Sequence, residues 1–279
     1  DPDLALLAVE RLREALGDEE WAALDEALRA DQGLRGRLLG VLGGSTALGD
    51  HLIAHPERWR TLRSEGTPGR TYDASQLPDL AERTRTMLGA VGAEESGDTP
   101  PRATVLEPAG IGVLRLAHRD EVLALAAADL QAVCEPELPV VPVEVVSAQL
   151  ADLAAAGLRA ALAVADATLT DARGGRGDET EDGDDAGGPL PCRLAVIGMG
   201  KCGGRELNYV SDIDVIFVAE GASDVATRLA STMMRVASEA FLEVDANLRP
   251  EGRQGTLVRT LDGHVAYYQR WAKTWEFQA

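Results

Sequence analysis

For its first 170 or so residues this chain repeats apolar residues at helical spacing, and after Pro191 it does not. Leu4, Leu7, Leu12 and Leu16 fall near one helix face, as do Trp21, Leu24 and Leu28. Gly17-Asp18 and Gly43-Gly44-Ser45 each supply a stop followed by a fresh cap. Breaker-rich stretches interrupt the pattern over 64–102, with a short helical piece at 80–91, and it resumes over 113–133 and 143–169. Beyond Pro191 the segments CRLAVIG, IDVIFVA and LEVDANL are short and β-rich. Between the last two lies an amphipathic helix whose stripe is Val225, Leu229, Met233, Val236 and Ala240, which core packing explains. The chain therefore reads as α+β. A mostly helical region spans 1–170 and a small sheet-bearing unit spans 190–262, with strands near 193, 213 and 244. From 263 a helical region begins, with LDGHVAYYQRWAKTWEFQA expected to form another helix.

Residues 171–189 stand apart. DARGGRGDETEDGDDAGG has no aromatic residue, almost nothing apolar and a cluster of acids, the composition of a disordered insertion. Its D-G-D-D lacks the alternating acids and distant Glu of a calcium loop. The whole chain carries a net charge of −19 and lysine only at Lys201 and Lys273, a surface that repels nucleic acid. No apolar run approaches the roughly eighteen residues of a membrane span, and the N-terminus is an acidic amphipathic helix, so no membrane partner is expected. Cys134, Cys192 and Cys202 form no CxxC pair, which fits a reducing, cytoplasmic setting. The absence of an initiator Met, and an end inside a helical pattern, suggest a piece of a longer protein.

The chemistry concentrates in Ser211-Asp212-Ile213-Asp214-Val215-Ile216-Phe217-Val218. Alternate strand residues share a face, so Asp212 and Asp214 point together while Ile213 and Val215 enter the core. Two carboxylates about 4 Å apart repel by about 4 kcal/mol at an effective dielectric near 20, a penalty that a divalent cation removes. An isolated D-x-D is usually a solvated strand entrance. Here a third acid, Asp245, alternates with Val244 and Glu243 on a strand joined to the first by one helix. That arrangement suits a two-metal phosphoryl-transfer site. Arg249 and Arg253 follow closely, placed either to hold an anion or to brace the acids.

Gly198-Met199-Gly200-Lys201-Cys202-Gly203 spells the dinucleotide-binding G-x-G-x-x-G, with Glu220 downstream. Only nine residues then separate the glycines from the next strand, too few for the helix of a parallel crossover. The same glycines, with Gly204, can bring backbone amides near phosphate oxygens, with Lys201 as a point charge. No P-loop motif is present.

GMGKCGGRELNYVSDIDVIFV followed by VDANLRPEGRQGTLVRTL resembles the glutamine synthetase adenylyltransferase family, within the polymerase-β-like nucleotidyltransferase superfamily. LGGSTALGDHLIAHPERW and LAHRDEVLALAAADL resemble helical segments of the same enzymes more loosely. The family carries an N-terminal half that removes AMP and a C-terminal half that adds it. Arg205-Glu206-Leu207-Asn208 before Ser211-Asp212-Ile213-Asp214 is similar to the removing half. The resemblance implies that 190–262 is a nucleotidyltransferase core catalysing phosphorolysis. Inorganic phosphate would attack AMP on a tyrosine of adenylylated glutamine synthetase, releasing ADP in the control of nitrogen assimilation. It further implies magnesium on Asp212, Asp214 and Asp245, and Lys201, Gly203 and Gly204 near phosphate. Arg205, Arg249 and Arg253 are further candidates for a phosphate pocket. Adenylylated glutamine synthetase and the PII signalling protein are the implied partners. The competing readings are AMP addition from ATP on the same fold, and a non-catalytic module that docks glutamine synthetase or PII; the latter fits poorly with three retained acids.

Other residues read as structural. Ser211 fixes the turn by bonding backbone, although a phosphate contact is also open to it. Asn208 either shapes an Asx-turn or touches substrate. Cys202, where the family often has Leu, fills a small core site. His51 and His55 have helical metal-pair spacing but no third ligand nearby, so they read as packing or surface residues.

Overall fold

The computed structural model describes residues 1–63, 77–97, 99–174 and 188–277. Most of the acidic insertion lies outside the described residues; its first four residues continue a helix that ends at Gly174. Two compact units divide the chain: Asp1–Leu77 with Arg119–Val146, and Pro78–His118 with Ser147–Ala279. The sequence division near residue 170 follows composition, whereas these units follow packing, and two long helices each contribute to both.

In the first unit, α1 (Pro2–Ala30), α2 (Gln32–Gly44) and α3 (Thr46–Ala54) are followed by a 3₁₀ segment, Pro56–Leu62. Asp1, Asp31 and Ser45 cap the three helices through side-chain oxygens that accept from amides of the first turn. The stop expected at Gly17-Asp18 is a kink: Gly17 takes φ 71° and ψ 175° inside an otherwise continuous α1. Leu12, Leu24, Leu34, Leu42 and Leu52 are fully buried with Trp59 and Leu123, each leucine worth about 2 kcal/mol of burial. His51 is buried, with Nε2 2.9 Å from Asp120 Oδ1, and its ring lies tilted against that of His55, with the centroids 5.1 Å apart. The pair belongs to the packing, as its lone spacing suggested.

The second unit holds α4 (Leu80–Ala90), the N-terminal part of α5 (Ala109–Cys134) and α6 (Val143–Gly174) from Ser147 onward. Contrary to the sequence reading, α6 is long and apolar enough to cross a membrane, with mean hydropathy 1.3 over its best window. Two-thirds of that window is buried within the protein, so core packing accounts for it. Ala154, Ala156, Ala160 and Ala161 are fully buried, and Gly157 lies against the ring of Phe241.

The sheet lies wholly after residue 190 among the described residues. β1 (Cys192–Gly198) pairs antiparallel with β2 (Ile213–Gly221), and a one-turn helix, α7 (Gly200–Gly203), stands between them. An antiparallel pair excludes the dinucleotide-binding crossover that the glycines spelled. After α8 (Ser223–Ala240), β3 (Val244–Asp245) runs parallel to the start of β2. β4 (Val258–Arg259), a strand the sequence did not announce, runs parallel to β2 further along the same edge, at Phe217 and Val218. Ile213, Val215, Phe217 and Ala219 are buried on one face of β2; α8 buries Leu229, Met233, Val236 and Ala240 against the sheet. The segment after 260 is not one helix. α9 (Leu261–Arg270) ends at Trp271, and a 3₁₀ turn covers Thr274–Phe277. There Glu276 accepts from the Lys273 amide at 2.7 Å and from the Tyr267 hydroxyl at 2.8 Å.

Candidate active site

Asp214 and Asp245 are direct partners across the parallel β2–β3 ladder, and Asp212 sits one residue before β2. Carboxylate oxygens of all three lie within 4.8 Å of one another. The local fold explains this. Buried Ile213 pins the strand, its amide donating to Glu243 O at 2.8 Å, and this sets the register of β3. Alternation then places Asp214 and Asp245 side by side on the less buried face. Like charges directly opposite are destabilising in a sheet. The Asp214 carboxyl is accordingly pushed above its usual range, by partial burial first and then by Asp212 and Asp245, with Lys201 opposing. Among the described residues no arginine or lysine pairs with any of the three, so the bracing considered for Arg249 and Arg253 does not occur. A crowded, unneutralised set of hard oxygen donors fits a divalent cation such as magnesium.

The glycine turn packs closely against these acids. Met199 donates its amide to Asp214 O at 2.8 Å, extending the ladder past β1. At Gly200, φ is +51° and a Cβ would lie 2.6 Å from Asp214 Oδ2, so only glycine fits there. A Cβ at Gly203 would meet Gly198 O at 2.5 Å. The amides of Gly203 and Gly204 are engaged by Met199 O and Gly200 O, both at 2.9 Å. Neither is free for phosphate, and Gly203 serves close backbone approach instead. Cys202 is half-buried and its thiol is pushed up, chiefly by burial and then by Asp214, which suits packing and not nucleophilic attack.

Arg205 does not reach toward the acids. Its guanidinium grips Asp152 on α6 through two bonds of 2.6 and 2.8 Å. Asn208 forms the Asx-turn, accepting from the Val210 amide at 3.0 Å. Ser211 is buried and its amide bonds Asn208 O at 3.4 Å, but its hydroxyl has no partner among the described residues, contrary to the expected backbone bond.

The loop after β3 is ordered by its own polar groups. Arg249 donates to the carbonyls of Ala246, Arg253 and Gly255 at 2.7, 3.1 and 3.1 Å. It is a loop brace, with little left for an anion. Asn247 donates its amide N–H and its Nδ2 to the two oxygens of Asp245, each at 2.7 Å. Arg253 Nε in turn donates to Asn247 Oδ1 at 3.1 Å and is otherwise exposed. Sequence reasoning missed Asn247 and Asp152, and it read Gly200 as a phosphate-cradling glycine where the structure has it packed against Asp214. The D-x-N spacing was the available signal for Asn247; nothing local announced Asp152.

Fold and site together define an α+β protein with a nucleotidyltransferase-like domain. The family model described as glutamate-ammonia ligase adenylyltransferase matches residues 36–279, and the chain belongs to that family. It is 52% identical over 284 residues to a protein of Nocardia farcinica (strain IFM 10152) named bifunctional glutamine synthetase adenylyltransferase/adenylyl-removing enzyme. That alignment covers 100% of this chain and 26% of the relative. Proteins of the same name from Mycobacterium avium (strain 104) and Mycobacterium tuberculosis (strain ATCC 25618 / H37Rv) are each 52% identical over 279 residues, covering all of this chain and 24% of theirs. The chain thus spans about a quarter of the length of these relatives.

Proposed function

We propose that this chain carries the adenylyl-removing chemistry: phosphorolysis of the AMP–tyrosine bond of adenylylated glutamine synthetase. The observation that carries the proposal is the in-register Asp214–Asp245 pair with Asp212 within 4.8 Å. The R-E-L-N-x-x-S-D-I-D motif at 205–214 supports this direction through its resemblance to the removing half of the family, while the relatives' names carry both activities. In the reaction an oxygen of hydrogen phosphate bonds to the AMP phosphorus and the P–O(tyrosine) bond breaks. ADP leaves, and the hydrogen phosphate proton ends on the tyrosine oxygen. Asp212, Asp214 and Asp245 would hold magnesium, which when bound neutralises charge on the attacking and leaving oxygens. Asn247 fixes the Asp245 carboxylate by occupying one lone pair on each oxygen. Lys201, the lysine whose charge reaches Asp214, is placed to offset an incoming phosphate. The exposed guanidinium of Arg253 is the second cation for that role, since Arg205 and Arg249 are engaged elsewhere. PII and a cytoplasmic setting belong to the same proposal, through the family resemblance. Incubation with adenylylated glutamine synthetase, magnesium and phosphate should release ADP. Formation of pyrophosphate and adenylylated target from ATP would assign the opposite direction.

A further inference from the structure

We infer that Asp152, far from the acids in sequence, is a positioning residue for the turn of 200–205, whose Gly200 packs against Asp214. The inference rests on the proposed function for its kinetic consequence, though not for its structural one. Asp152 lies on α6 among buried alanines and leucines, and its side chain is only 8% exposed. A carboxylate at that depth is costly unless a charged partner satisfies it. Arg205 is that partner, donating through Nη1 and Nη2 in the two-pronged geometry that fixes both position and orientation.

Arg205 is also one of only two non-glycine residues among those described with positive φ, at 58°. Such a conformation in a side-chain-bearing residue persists where surroundings impose it. Here the imposed residue closes a short, tightly bonded turn. The Arg205 amide donates to Cys202 O at 3.2 Å and the Glu206 amide to Lys201 O at 2.8 Å. The other end of the turn is Gly200, packed against the Asp214 carboxylate. The Asp152 grip therefore fixes one end of a segment whose other end touches a candidate metal ligand, with Lys201 between. Releasing it frees Arg205 to leave its left-handed conformation and lets Lys201 and Gly200 shift relative to Asp214.

The test uses the whole chain with Asp152→Asn and Arg205→Lys. The first keeps shape and removes the charge; the second keeps charge and removes the fork, and carries the test if Asp152→Asn fails to fold. Two quantities are read: the rise in melting temperature induced by magnesium and, well below the melting temperature, the apparent KM for phosphate with adenylylated glutamine synthetase. Positioning predicts a weaker magnesium-induced shift and a KM raised about tenfold, the low end of what losing an outer-shell partner does at a metal site. A variant that melts lower yet keeps both quantities at wild-type values would overturn the inference, leaving Asp152 a stability residue only. If wild type forms no ADP, the phosphorolysis reading fails, and the magnesium-induced shift still decides the role of Asp152.

Discussion

The two flanks of the acid cluster solve the same problem with opposite chemistry. The glycine turn of 199–205 reaches Asp214 by removing side chains: Gly200 and Gly203 permit approaches no Cβ would tolerate. The loop of 246–255 reaches Asp245 by adding them: Asn247 grips the carboxylate, Arg253 orients Asn247, and Arg249 ties the loop's carbonyls together. Each flank holds one non-glycine residue at positive φ, Arg205 and Glu251. Both are tied from outside, Arg205 by Asp152 and the Glu251 amide by the Tyr267 hydroxyl at 3.3 Å. The difference teaches that arginines close to an acid cluster in sequence are not thereby free to bind anions.

The largest expected effect removes the shared centre. Asp214→Asn should reduce ADP formation beyond the roughly 10–100-fold that losing an outer-shell partner costs, while leaving metal-free stability equal or higher. Because the folded Asp214 carboxyl is raised above its unfolded value, the native state binds more protons than the unfolded chain between the two values. Metal-free stability must then fall as pH rises through that window. Thermal melts against pH should show this slope in wild type and a shallower one in Asp214→Asn; identical slopes would contradict the crowding.

Gly200→Ala tests the glycine flank alone. The new methyl group meets Asp214 Oδ2 in a backbone conformation that costs a side-chain-bearing residue about 1–2 kcal/mol. Activity should fall about tenfold or more, with a clear drop in melting temperature. An active, equally stable variant would show that the turn and the acid are not in contact.

On the other flank, Arg249→Ala and Arg253→Ala should separate. Loss of three hydrogen bonds to carbonyls, each worth about 1 kcal/mol net, makes Arg249→Ala mainly a stability variant, read in a denaturant titration. Arg253→Ala should fold normally and raise the KM for phosphate only about 3–5-fold, since an exposed charge contributes up to about 1 kcal/mol. The reverse assignment would mean that Arg249 leaves its carbonyls when phosphate binds.

Much of this architecture was legible because it rests on periodicity. The helical stripe of α8 and the alternation in β2 follow from spacing that any two- or 3.6-residue repeat exposes, whereas the register that sets Asp214 opposite Asp245 is fixed only by the β2–β3 ladder. β4 escaped because two residues, Val258 and Arg259, carry too little pattern to stand out. The glycines were legible as a turn but not in their role, since what Gly200 touches is a side chain fourteen positions later. Asp152 was illegible for a stronger reason. A single acid on an alanine-rich helix looks like any solvated position until the fold places Arg205 beside it.

The central claim is that inorganic phosphate is the nucleophile at this acid cluster, and isotopic labelling tests it most directly. With adenylylated glutamine synthetase, magnesium and ¹⁸O-labelled inorganic phosphate, the account predicts labelled oxygen in the β-phosphate of ADP, with one ADP formed per tyrosine released. Release of unlabelled AMP, or no release until ATP is supplied and pyrophosphate appears, would contradict it.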